Sequence, residues 1–176
     1  RLERNGLIVS QMTLGTVQLG LNYGVANRSG QPTADESCRI VEAASGGGVY
    51  SFDTAAAYGD SERVLGRCLR GMVPRPTVIT KFTLRPDLPA SEVERSLMAS
   101  AESSLERLGV PVLDMAMLHH AGDLLRWGTK LVEACKQLAR NGYARTIGLS
   151  FGAESADTFQ RIWKFARDPI FDGVQI

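Results

Sequence analysis

The chain has little that marks a charged, metal-bound or membrane-bound partner. Net charge is +1, from 20 basic and 19 acidic residues, so it has no electrostatic footprint for nucleic acid or an anionic membrane. Its basic residues are scattered; Arg63, Arg67 and Arg70 recur at helical spacing and read as a solvated face. No apolar run approaches a membrane span, and Arg1-Leu2-Glu3-Arg4-Asn5-Gly6 lacks the apolar core of a signal peptide, so a cytoplasmic protein is expected. The three cysteines, Cys38, Cys68 and Cys135, are far apart with no CxxC spacing, which argues against zinc and redox motifs. All three fall within apparent helices and are expected to be free, buried thiols in a reducing compartment. The only two histidines, His119 and His120, are adjacent; neighbouring side chains on extended chain point to opposite faces, so no metal site is expected. Gly15, Gly20 and Gly24 do not fit GxGxxG, and no helix is expected directly after them.

What is present is an ordinary core and a regular alternation of elements. With 176 residues, 44% of them apolar, the chain reads as one domain spanning 1–176. Residues 2–10 form a hairpin around Asn5-Gly6. Strands are expected at Met12–Val17, Gly48–Phe52, Thr77–Thr80, Val112–Leu118, Thr146–Ser150 and Asp172–Ile176. Helices are expected at Thr33–Ser45, Ser61–Leu69, Ser91–Leu108, Trp127–Arg140 and Glu154–Arg167. Thr33 with Glu36 and Ser91 with Glu94 read as capping boxes, and Gly109 as a stop. Short buried strands alternating with three-turn helices imply a parallel sheet with helical crossovers. An open doubly wound sheet and a (β/α)8 barrel both fit that alternation. The missing dinucleotide fingerprint, and polar groups at every strand end from the second onward, favour the barrel. A full barrel takes about 250 residues, so an incomplete one of six strands and five helices is expected here.

The organising stretch is Asp53-Thr54-Ala55-Ala56-Ala57-Tyr58-Gly59, where a buried strand hands over to a helix. The next two strands end at Lys81 and His119, so successive strand ends deliver Asp, Tyr, Lys and His to one rim. Taken singly, each has a plainer reading: a turn-capping carboxylate, a loop aromatic, a rim charge, a rim histidine. Together they can do acid–base work on a carbonyl. Tyrosine, with an ordinary pKa of about 10, is a poor proton donor until a neighbouring ammonium lowers that value. Lys81 can supply the charge, Asp53 can orient Lys81, and His119 can fix the carbonyl oxygen. The hydride must come from a cofactor.

This pattern resembles the aldo-keto reductase family, whose motif is Asp-Thr-Ala-x-x-Tyr-Gly followed by strand-end Lys and His. Leu14-Gly15-Thr16, Asp114–His119 and Ile147-Gly148-Leu149-Ser150 match that family's first, fourth and fifth strands. The resemblance implies a TIM barrel and the reduction of an aldehyde or ketone by NADPH (NADP+). It implies Tyr58 as general acid, Lys81 as its activator, Asp53 as the partner of Lys81, and His119 as the substrate-orienting group. It also implies a cofactor contact set of Ser150, Gln175, Asp53 and Thr16, although Phe151 stands where the family usually has Asn. The loop Leu19–Asn27 resembles bacterial members that act around sugars.

The family's nicotinamide-stacking aromatic and basic phosphate motif belong to later strands than these. Open sheet edges are therefore expected to pair with a further barrel segment or a second copy, with weak or no cofactor binding by this chain alone. Two other readings are a non-catalytic scaffold that senses nicotinamide, and a Schiff-base lyase using Lys81.

Overall fold

The computed structural model describes residues 2–4, 6–152 and 156–176. Strands β1 (Leu2–Arg4) and β2 (Leu7–Val9) form the antiparallel hairpin, paired Leu2 to Val9 and Arg4 to Leu7. Of the turn, Asn5 lies outside the described residues, while Gly6 takes the left-handed φ of 75° that such a turn requires. The hairpin lies at the amino-terminal ends of the sheet strands: Thr77 Oγ1 donates to Ile8 O at 2.6 Å, and Ser10 Oγ and Ser51 Oγ are 2.8 Å apart.

The rest alternates in chain order. After β3 (Leu14–Gly15) come α1 (Val17–Gly20), α2 (Ala34–Gly46), β4 (Ser51–Asp53), α3 (Ser61–Leu69) and β5 (Thr77–Phe82). A 3-10 turn at Ala90–Glu92 leads into α4 (Val93–Leu108), followed by β6 (Leu113–Leu118), α5 (Asp123–Trp127) and α6 (Thr129–Arg140). The last elements are β7 (Ala144–Ser150), α7 (Ala156–Ala166) and β8 (Phe171–Gln175). All six strands of the main sheet are parallel in the order β3-β4-β5-β6-β7-β8, so sequence neighbours are sheet neighbours. This is an incomplete parallel barrel wall, six strands with seven helices among the described residues.

Side chains alternate between its two faces. Phe82, Ala116, Leu118 and Ile147 meet Leu97 of α4 and Cys135 and Leu138 of α6, which is where the main core sits. On the concave face, Met115 and Met117 extend over Gly173 and Gly148; a Cβ at Gly148 would stand 2.8 Å from Met117 Cε.

Local signals placed several boundaries. Thr33 Oγ1 accepts from Glu36 N at 3.2 Å as the α2 cap, and Gly109, with φ 67°, closes α4. Arg63, Arg67 and Arg70 are exposed along α3, with Arg67 paired to Asp35 at 2.7 Å.

Other expectations need correction. Ser91 does not cap α4, because Pro89 starts a 3-10 turn that carries the helix start past it. The first strand is shorter than Met12–Val17: the chain turns at Thr16 into α1, so a short helix does follow Gly15. The helix expected at Trp127–Arg140 starts two residues later, as α6 at Thr129; Trp127 instead ends the unexpected short helix α5, and Gly128, with φ 48°, separates the two. The expected start of the last helix at Glu154 lies outside the described residues. Cys38 and Cys68 are not free thiols: α2 packs on α3 with these Cα atoms 4.8 Å apart, and the sulfurs are bonded. Cys135 is free and buried, its thiol pushed up to about 12 by loss of solvent and then by Asp168. No helix among the described residues is long and apolar enough to cross a membrane.

Candidate active site

Each candidate residue sits at or just beyond the carboxyl end of a strand, because a parallel sheet aligns those ends at one rim. Asp53 is the last residue of β4 and Lys81 the penultimate residue of β5. Both are buried, and Lys81 is only 2% exposed. Lys81 Nζ lies 2.5 and 2.6 Å from the two Asp53 carboxylate oxygens and donates to Thr54 O at 3.3 Å. Three donor directions thus meet three acceptors, which is how a buried ammonium avoids a large desolvation cost.

Tyr58 lies on the tight segment between β4 and α3. Ala56 N donates to Lys81 O and Tyr58 N to Ala55 O, each at 3.0 Å, so the loop is tied to the end of β5. Lys81 Nζ stands 5.3 Å from the centre of the Tyr58 ring, a cation–π distance, and among the described residues no hydrogen bond joins the ammonium to the phenol. The expected lowering of the Tyr58 pKa is therefore overturned. Burial, then the negative charge of Asp53, then Tyr23 hold the phenol above the ordinary tyrosine range. Asp53 offsets the Lys81 charge that the sequence argument relied on.

His119 follows β6 and its N–H donates to Phe82 O at 2.9 Å. Its ring meets Tyr58 edge-on, with centroids 5.5 Å apart and planes at 85°. Its Nδ1 is 3.4 Å from Thr83 Oγ1. Burial, then His120 and Lys81 pull its pKa down to about 4, so the ring is neutral at pH 7. The expectation that His119 and His120 face opposite ways is wrong: their rings stack 4.9 Å apart at 18°. Strand alternation ends at Leu118, and the pair lies beyond it.

Of the expected cofactor contacts, Ser150 and Gln175 are cross-strand partners at the ends of β7 and β8. Gln175 Nε2 donates to Asp53 Oδ2 at 3.4 Å, while its Oε1 is buried without a hydrogen-bond partner among the described residues. Thr16 lies elsewhere. It is fully buried, with its hydroxyl donating to Asp53 O at 2.9 Å and 2.8 Å from Ser61 Oγ, so it supports the rim from below. Sequence reasoning overlooked Ser61, Thr54 and Thr83. The first two carried a signal, as hydroxyl residues flanking the Asp–Tyr motif.

A parallel barrel wall with these four side chains at one rim is the architecture of the aldo/keto reductases. The Aldo/keto reductase family model matches residues 11–173, and the chain belongs to that family. It is 33% identical over 144 residues to an aldo-keto reductase of Mycolicibacterium smegmatis, covering 77% of this chain and 47% of that protein. It is 28% identical over 161 residues to the 6-dehydroglucose reductase of Novosphingobium aromaticivorans, covering 85% and 50%. Among solved structures, an aldo-keto reductase of Pseudomonas aeruginosa superposes with a TM-score of 0.72 at 29% identity, covering 92% of this chain and 62% of that one. One from Klebsiella pneumoniae, in complex with NADPH, shares the fold with a TM-score of 0.70 at 24% identity, covering 96% and 54%. The chain spans about half the length of the curated relatives it matches.

Proposed function

We propose that this chain carries the proton-handling centre of a reductase that converts an aldehyde or ketone to an alcohol at the expense of NADPH. The observation that carries this reading is the convergence of Asp53, Tyr58, Lys81 and His119 at one rim, with Lys81 held by both Asp53 oxygens and the Tyr58 ring between Lys81 and His119. Tyr58 is the general acid. A phenol held above the ordinary range is protonated at neutral pH and so carries the proton that a carbonyl oxygen would take. Asp53 positions Lys81. His119, neutral at pH 7, offers an N–H to the carbonyl oxygen without adding a charge.

The residues present suit a nicotinamide. The unpartnered Gln175 Oε1 can accept from a carboxamide NH2, with Ser150 beside it across the β7–β8 ladder. When bound, NADPH supplies the hydride that no side chain carries. The NADPH complex of the Klebsiella pneumoniae neighbour supports that choice of cofactor. A Schiff-base role for Lys81 is disfavoured by its burial and its three engaged donor directions.

The test mixes the 176-residue chain with NADPH and a panel of aldehydes and ketones and follows NADPH consumption. Tyr58→Phe is expected to lower turnover by at least about 100-fold while leaving quenching of Trp127 and Trp163 fluorescence by NADPH in place. Quenching without turnover in the unaltered chain would instead support a nicotinamide-binding scaffold.

A further inference from the structure

We infer that Ser61 is a positioning residue of this site, whose hydroxyl bonds help set the spacing of Tyr58 from Asp53 and Lys81. Ser61 is the first residue of α3 and is fully buried. A polar side chain at the N-cap ordinarily accepts from N–H groups of its own helix. Asp60 holds that position and makes no such bond, and the hydroxyl of Ser61 after it is not spent on the helix. Instead Ser61 Oγ donates to Thr16 O at 2.7 Å, accepts from Thr54 Oγ1 at 3.0 Å, and lies 2.8 Å from Thr16 Oγ1. The three hydroxyl protons go to the bonds from Ser61 Oγ to Thr16 O, from Thr54 Oγ1 to Ser61 Oγ and from Thr16 Oγ1 to Asp53 O. The two oxygens Thr16 Oγ1 and Ser61 Oγ lie side by side without a proton between them.

Each arm ends on the reacting centre. Through Thr16 it reaches the carbonyl of Asp53. Through Thr54 it reaches Lys81, whose Nζ donates to Thr54 O at 3.3 Å. Through its own N–H, which donates to Tyr58 O at 3.0 Å, it holds the tyrosine segment directly. Gly20 closes the seat from the other side: a Cβ there would stand 1.9 Å from Tyr58 O and 2.3 Å from Ser61 N, so the segment rests against bare backbone. Asp53, Lys81, His119 and Tyr23 surround the phenol, and a loosened segment would change its distance from all of them.

The consequence for catalysis rests on the proposed role of Tyr58 as proton donor; the positioning itself does not, and it is read without turnover. The experiment labels the four tyrosines of the 176-residue chain with ring carbon-13, assigns Tyr58 by Tyr58→Phe, and titrates its phenol by NMR. In the unaltered chain Tyr58 is expected to titrate above the ordinary value of about 10. Ser61→Ala is expected to bring the midpoint back toward that value and to sharpen the Tyr58 resonance as the ring gains freedom. Ser37→Ala is the control: it removes another fully buried helix hydroxyl, bonded to Thr33 O at 2.9 Å, and is expected to lower the melting temperature while leaving Tyr58 unmoved. Thr54→Val, which removes only the Thr54–Ser61 bond, is expected to shift the midpoint the same way by less, and it decides the question if Ser61→Ala does not fold. In turnover, Ser61→Ala should lower kcat by about 10–100-fold with KM little changed. A folded Ser61→Ala or Thr54→Val chain with an unaltered Tyr58 titration would overturn the inference. A shifted titration in a chain that never consumes NADPH would uphold it and count against the reductase reading.

Discussion

Gln175 Nε2 reaches to within 3.4 Å of Asp53 Oδ2, although 122 residues separate them and three strands lie between β4 and β8 in the sheet. Four strand spacings in a flat sheet would hold these positions about 19 Å apart. The contact therefore measures how far the wall has curled. Curling turns the concave-face side chains at the strand ends toward one another, so two residues far apart in the chain can share one rim. On the same face Met115 and Met117 extend over the glycines of β7 and β8.

The Asp53–Lys81 pair makes a stability prediction. Lys81 is 2% exposed, so removing its carboxylate partner leaves an uncompensated buried charge. Asp53→Ala is expected to destabilise the fold by about 3–5 kcal/mol, and the double variant Asp53→Ala, Lys81→Met by less than either single change, because no charge is then left alone. Thermal denaturation followed by circular dichroism measures both. Additive losses in the double variant would contradict the pairing.

His119 makes a prediction about pH. Its folded value of about 4 lies below the ordinary 6.5. Between those two values the unfolded chain takes up a proton that the folded chain refuses, so stability falls as pH drops through the window and is unaffected by this group above it. The ring is half-exposed, so solvent keeps the effect modest. Urea midpoints from pH 7 to pH 4 should fall less steeply for His119→Gln than for the unaltered chain, and histidine NMR should show one ring titrating near 4.

The Cys38–Cys68 bond can be counted. Unfolded without reductant, the chain should alkylate once, at Cys135; unfolded with reductant, it should alkylate three times. The bridge closes a loop across a sequence separation of 30 residues, for which the chain-entropy model gives about 3–4 kcal/mol. The Cys38→Ser, Cys68→Ser variant should show that loss in urea, and three reactive thiols in untreated protein would refute the bond.

Where a reading depended on local chemistry, the sequence was legible. The α3 helix runs over the very residues its pattern marks, Ser61 to Leu69, because its periodic apolar face and the loop before it are both local. Thr33 and Gly109 act within one helical turn of themselves and were readable for the same reason. Ser91 failed because Pro89, two residues earlier, made a competing turn. The helix expected from Trp127 begins only at Thr129, because Gly128 takes a positive φ between α5 and α6.

By itself, the sequence determined the alternation of strands and helices, the parallel sheet that follows from it, and which side chains arrive at strand ends. Those properties follow from periods of two and 3.6 residues and from turn chemistry, all of which act over short stretches of chain. Only the tertiary structure decided what those side chains do to one another. It set Asp53 between Lys81 and the influence Lys81 would have had on Tyr58, stacked His120 on His119, joined Cys38 to Cys68, and turned Ser61 from its helix toward the strands. Charge, burial and hydrogen bonding act across a few ångströms of space whatever the separation in sequence, and those distances exist only once the wall has curled.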